Sequence, residues 1–192
     1  DPRSNRLDRV RFANAEARVG ELRYLGFHGE GVNSLGYDSE SRRLLSASVD
    51  GTARLWSLDS FRPPIVMNHG ASALAAFASP GVVVTAGQDR ALKFWDANSG
   101  QPIRQQQYTG RLSSFTVYPP AEFIAVVSDY KTICIGRIDS SDWLYQLPHD
   151  ESVSELQFVN EHTLVSRSGR RLLVWDWPGQ SVTREFSHAN QF

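Results

Sequence analysis

The chain repeats itself about every 40 residues, and a period of that length restricts it to stacked supersecondary units before any single motif is read. "SASVDGTARLWSLDS" at 46–60 returns 39 residues later as "TAGQDRALKFWDANSG". Trp56, Trp95 and Trp175 are separated by 39 and 80 residues, with Gly136 in the gap at steps of 41 and 39. His28, His69, His149 and His188 keep the same register, with Tyr108 in the third place.

Four short runs follow each marker. The first reads "VNSLGYD", "ALAAFAS", "SSFTVYP" or "VSELQFV", and the second "RRLLSAS", "GVVVTAG", "FIAVVSD" or "HTLVSRS". After a polar turn comes "TARLWSL", "ALKFWDA", "TICIGRI" or "RLLVWDW", then a weaker run such as "PIRQQQY" or "SVTREFS". These runs are rich in Val, Ile, Leu, Phe and Thr, alternate in part, and are bounded by Gly, Pro, Asp, Asn and Ser, which predicts four strands per unit. No window of about twelve residues carries a 3.6-residue period, so the expected fold class is all-β with helix nearly absent.

Four-stranded units of about 40 residues, with His near the start and Trp-Asp near the end, resemble the WD-repeat family of β-propellers. The residues that carry the resemblance are "HG" at 28 and 69, "VDGTARLW" at 49–56, "QDRALKFWD" at 88–96 and "LLVWD" at 172–176. The resemblance implies an antiparallel propeller, incomplete or open within this chain. The expected organisation is one region over 1–192: a half blade at 7–27, blades at 28–68, 69–107, 108–148 and 149–187, and flexible ends at 1–6 and 188–192. Phe12 takes the tryptophan place in the half blade. A closed seven-bladed ring needs roughly 280 residues. The chain is therefore expected to be part of a longer propeller, or to need another chain for the missing blades, because free ladder edges are pairing sites.

The resemblance also implies a hydrogen-bonded set inside each blade: His28, Ser46, Asp50 and Trp56 in the first, His69, Thr85, Asp89 and Trp95 in the second, His149, Ser166 and Trp175 in the fourth. The third unit has Gly136 for Trp and Tyr108 for His, so its packing is expected to be looser or differently filled. The fourth lacks the turn Asp, so its polar set is expected to be incomplete. Ser, His and Asp together suggest a hydrolase triad, but a catalytic site is built once and this set recurs at blade spacing. The histidines, one per blade, stand too far apart to share a zinc with bonds of about 2.0–2.1 Å. Cys134 reads as a core filler and His162, beside Glu161, as a loop residue. No phosphate loop, HExxH or GxSxG is present. No enzyme activity, cofactor, metal or small-molecule substrate is expected.

Function is expected in the loops. Asp38, Glu40, Asp59, Glu122, Asp139, Asp142 and Glu161 fall in turns at one end of the propeller. Arg90, Arg111, Tyr130, Lys131, Glu151, Arg170 and Arg171 fall at the other, and the first four, with Glu151 and Arg170, are the candidate protein-binding residues. A net charge of −1 disfavours a nucleic-acid partner. One cysteine and no glycosylation sequon point to an intracellular setting, cytoplasm or nucleus. The most apolar stretch, "ALAAFASPGVVVTAG", is broken well short of the ~20 residues of a membrane helix. The expected role is a scaffold for protein partners in a multiprotein complex. The alternatives are a reader of acidic or modified peptides through the Arg/Tyr/Lys face, and a scaffold subunit of a ribonucleoprotein.

Overall fold

A computed structural model describes residues 9–13, 22–60, 62–108, 110, 112–140 and 142–187. The expected flexible ends and much of the half blade (1–8, 14–21 and 188–192) lie outside the described residues, as do Arg111 and His188.

Each repeat folds into one antiparallel four-stranded sheet, because polar turns connect runs that alternate between two faces. The first blade is β3 (Val32–Asp38), β4 (Arg43–Ser48), β5 (Thr52–Ser57) and β6 (Ile65–Asn68), paired in that order after a hairpin of β1 (Arg9–Ala13) and β2 (Leu22–Phe27). The second is β7 (Ala73–Ser79), β8 (Val82–Gly87), β9 (Ala91–Asp96) and β10 (Pro102–Gln107). The third is β11 (Phe115–Tyr118), β12 (Phe123–Ser128), β13 (Thr132–Arg137) and β14 (Trp143–Pro148), and the fourth β15 (Val153–Phe158), β16 (Thr163–Ser168), β17 (Arg171–Asp176) and β18 (Ser181–Ser187). Among the described residues the only helical turn is a 3-10 turn at Pro119–Ala121. No helix there is long and apolar enough to cross a membrane.

The first strands, β3, β7, β11 and β15, are the inner ones, each packed against the next. The core lies in three layers between blades rather than in one centre. Leu45, Ala47, Ala53, Leu55 and Met67 of the first blade meet Ala75, Val83 and Trp95 of the second. Val84, Ala86, Leu92 and Phe94 of the second meet Ile124, Val126 and Cys134 of the third. Ala125, Val127, Ile133, Ile135 and Leu147 of the third meet Leu156, Phe158, Leu164, Trp175 and Trp177 of the fourth. Each tryptophan thus belongs to a blade's leading face, turned toward the blade before it. Trp56 follows the rule: a methyl group on Gly26 of β2 would lie 2.4 Å from its ring.

The third blade is filled differently, and consistently so. At the four places where the first two blades carry His, hydroxyl, Asp and Trp it has Tyr108, Val126, Tyr130 and Gly136. The indole comes instead from the neighbouring strand: Gly136 pairs with Trp143, whose ring would be 3.2 Å from a methyl group at Gly136. Removing every partner of a buried polar set together leaves none unsatisfied, which is far cheaper than removing one. The layer is not looser, since Val126 and Ile124 are 0% and 2% exposed. Cys134 is buried in it, and burial pushes its thiol up to about 11.

Candidate functional site

The recurring polar residues converge in three of the four blades. In the first, the Trp56 indole N–H donates to Ser46 Oγ at 2.8 Å, His28 Nε2 lies 2.8 Å from the same oxygen, and His28 Nδ1 lies 3.0 Å from Asp50 Oδ2. In the second, Trp95 Nε1 donates to Thr85 Oγ1 at 2.8 Å, with His69 2.6 Å from that hydroxyl and 2.9 Å from Asp89. One directional chain satisfies every group: indole N–H to hydroxyl oxygen, hydroxyl hydrogen to imidazole nitrogen, imidazole N–H to carboxylate. In the fourth, Trp175 Nε1 donates to Ser166 Oγ at 2.9 Å and His149 Nε2 sits 2.8 Å from it, but no carboxylate follows. The Leu147 carbonyl, 3.4 Å from His149 Nδ1, takes its place.

Burial sets the electrostatics. Ser46, Thr85 and Ser166 are all 0% exposed, so no substrate reaches these hydroxyls. Desolvation lowers the proton affinity of His28, His69 and His149, against the pull of Asp50 and Asp89 on the first two. Burial would raise Asp50, but hydrogen bonds from the Thr52 hydroxyl, the Gly29 and Thr52 amides and His28 outweigh it and bring it to about 2. Thr52 escaped the sequence reading, although its place directly after Asp-Gly is where a turn carboxylate finds a local hydroxyl.

These shifts fix the pH response. Both the histidines and the aspartates bind protons less readily folded than unfolded, so acid favours the unfolded chain. Stability is expected to be full above about pH 6.5, to fall as the histidines of the unfolded chain protonate, and to fall again from about pH 4 toward 2. The Asp50 share is about 2 kcal/mol. Melting curves from pH 7.5 to 3 check this; a midpoint constant down to pH 4 would contradict it.

At the end of the molecule that carries these histidines, the candidate binding residues form two groups rather than one. Gln88, Arg90, Gly110 and Asp129 line one groove above the second and third blades. Between the third and fourth blades, Lys131 Nζ donates to the Asp150 carbonyl at 2.7 Å and the Val153 amide to the Tyr130 carbonyl at 2.7 Å. Glu151 lies against Gly169, beside Arg170. Arg90 and Tyr130 hold left-handed backbone, φ 65° and 63°, in turns where the first and fourth blades use Gly51 and Gly169, at a cost of roughly 1–3 kcal/mol each. The sequence reading missed Gln88, two residues before Arg90, and Asp129, which only the fold brings beside Arg90. At the opposite rim several acidic turn residues are paired: Asp59 with Arg42 at 2.8 Å, and Asp139 and Glu122 with Arg137 at 3.1 and 3.3 Å.

Comparison with known proteins places this geometry. The family model described as "WD domain, G-beta repeat" matches residues 20–57. THO complex subunit 3 of Arabidopsis thaliana is 28% identical over 115 residues, covering 52% of this chain and 34% of that protein. Transcription initiation factor TFIID subunit 5 of Caenorhabditis elegans is 31% identical over 162 residues, covering 81% of this chain and 25% of that protein. The chain thus spans between a quarter and about a third of these relatives' lengths. The crystal structure of the computationally designed Ika8 protein superimposes with a TM-score of 0.71 at 20% identity, over 84% of this chain and 51% of that one. With its four repeated sheets and three hydroxyl-anchored tryptophans, the chain belongs to the WD-repeat family of β-propellers.

Proposed function

We propose that the chain is a non-catalytic protein-interaction scaffold of an intracellular multiprotein complex, presenting its turns and blade faces to protein partners. The observation that carries this is the burial of the recurring chemical set: Ser46, Thr85 and Ser166 hold tryptophans and are closed to solvent. What remains exposed is loops and sheet faces. The similarity to proteins named as subunits of the THO complex and of TFIID supports the same reading.

A second reading, a peptide-reading face, is favoured by the left-handed Arg90 and Tyr130 and by the groove that Arg90 shares with Gln88 and Asp129. Affinity purification with three baits separates the possibilities. The unaltered chain and Ser46→Ala are expected to retain the same co-purifying proteins. Arg90→Glu with Lys131→Glu is expected to lose them if the histidine-bearing end is the contact, and to keep them if the opposite rim or the blade faces are. A chain that co-purifies with no protein at stoichiometric yield would contradict the scaffold.

A further inference from the structure

The turn after the second strand opens with Val49 in the first blade, Gln88 in the second and Asp129 in the third. These three equivalent residues wall two grooves that adjoin at Gln88, which lines both. The inner groove, about 350 Å³, is bounded by Val49, Leu74 and Leu112; the outer, about 420 Å³, by Arg90, Gly110 and Asp129. Spaces of a few hundred Å³ are large enough to bury part of a ligand.

The polar groups around the inner groove are already used. Asn33 Nδ2 donates to Ser72 Oγ at 3.0 Å and to the Ala73 carbonyl at 3.1 Å, and Ser113 Oγ donates to the Val153 carbonyl at 2.8 Å. The Ser72 carbonyl accepts the backbone N–H of Gln88 at 3.0 Å. An occupant therefore meets mainly apolar side chains there, with Val49 50% exposed. The outer groove is the reverse. The exposed side chains of Gln88, Arg90 and Asp129 have no hydrogen-bond or ion-pair partner among the described residues. Arg90 and Asp129 thus share a groove without pairing, and their formal charges cancel. Both hold left-handed backbone, φ 65° and 49°, where the first blade has Gly51 in the place of Arg90. Strain of this kind gathers at ligand sites. A side chain at Gly110 would collide with Asp129 Oδ1, so glycine is what leaves the carboxylate its room.

We propose that the two grooves together seat an extended, uncharged peptide segment. One apolar side chain enters the inner groove against Val49, Leu74 and Leu112. A neighbouring peptide group lies in the outer groove, its carbonyl accepting from Arg90 and its N–H donating to Asp129. A peptide group offers one acceptor and one donor, which matches the unused donor and acceptor of the groove. An acidic segment would satisfy Arg90 but bring like charge against Asp129, and a basic one would do the reverse. The inference rests on the peptide-reading face and replaces its acidic ligand with a neutral one.

Selection from a phage-displayed library of random heptapeptides on the immobilised full chain tests it. The expected consensus holds one large apolar residue and no enrichment of Asp, Glu, Lys or Arg. A synthetic peptide of that consensus is expected to bind Arg90→Gly and Val49→Glu at least about ten-fold more weakly than the unaltered chain. Both variants are expected to keep the unfolding midpoint. Val49 is half exposed, and Gly suits the left-handed backbone at 90. Asp129→Asn keeps an acceptor without the charge, and a smaller loss of about three-fold is expected. An acidic consensus would overturn the neutral ligand and leave the peptide-reading face standing. No enrichment over uncoated support would overturn both. A consensus peptide that binds folded Arg90→Gly or Val49→Glu as tightly as the unaltered chain would overturn the assignment to these grooves.

Discussion

Replacing Trp95 with Ala is expected to destabilise the chain by about 3–5 kcal/mol, a large part of the stability of a typical domain. The residue is 5% exposed in the layer between the first and second blades, where it meets Leu45, Ala47, Leu55 and Val83. Its loss removes a large apolar surface and leaves a cavity between two rigid sheets that cannot close over it. Thr85 also loses its indole donor. Trp95→Phe keeps most of the apolar contact and drops only the hydrogen bond, so about 1–2 kcal/mol is expected. Equilibrium urea unfolding measures both, and equal costs for the two variants would contradict the packing argument.

The second large effect comes from a residue that the sequence makes look replaceable. At the end of the second strand the other blades carry Ser48, Ser128 and Ser168, and only the second carries Gly87. Restoring the common residue by Gly87→Ser is nevertheless expected to cost about 3 kcal/mol. A Cβ at this position would lie 2.1 Å from His69 Nε2 and 2.6 Å from Asp89 Oδ1. The first blade tolerates serine because its imidazole is turned the other way, meeting the hydroxyl through Nε2 rather than Nδ1. The Gly87 carbonyl also accepts the Tyr108 hydroxyl across the blade boundary, so moving the strand to relieve the clash disturbs the third blade as well. The cost combines overpacking with a broken hydrogen bond to a carboxylate. A Gly87→Ser chain as stable as the parent would show that this corner has slack.

Strand positions were legible in the sequence because local rules set them. The runs beginning at Val32, Ala73 and Val153 alternate and stop at turn residues, and the hydroxyl-to-tryptophan set follows once the repeat is in register. What was not legible depends on contacts between strands or blades. Trp143 reaches Gly136 only because a bulge between Ile135 and Gly136 shifts the register of β14. Arg104 sits in the weak run "PIRQQQY", yet it lies over Phe94 with one guanidinium nitrogen buried and unpartnered among the described residues. Leu35 and Leu172 sit in the same alternation as their buried counterparts, so only the arrangement of blades reveals that nothing described covers them. The candidate binding residues divided for the same reason, since Arg90 and Tyr130 occupy similar turns but belong to different blades.

The central claim is that hydroxyl, imidazole and indole act together as a structural unit. A double-mutant cycle in urea unfolding, with Thr85→Val, Trp95→Phe and the pair, tests it most directly. If the indole N–H and the hydroxyl hold each other, the double variant loses less than the sum of the single losses by about 1 kcal/mol. Strictly additive losses would mean that Thr85 does not anchor Trp95, and the structural account of the repeated set would be wrong.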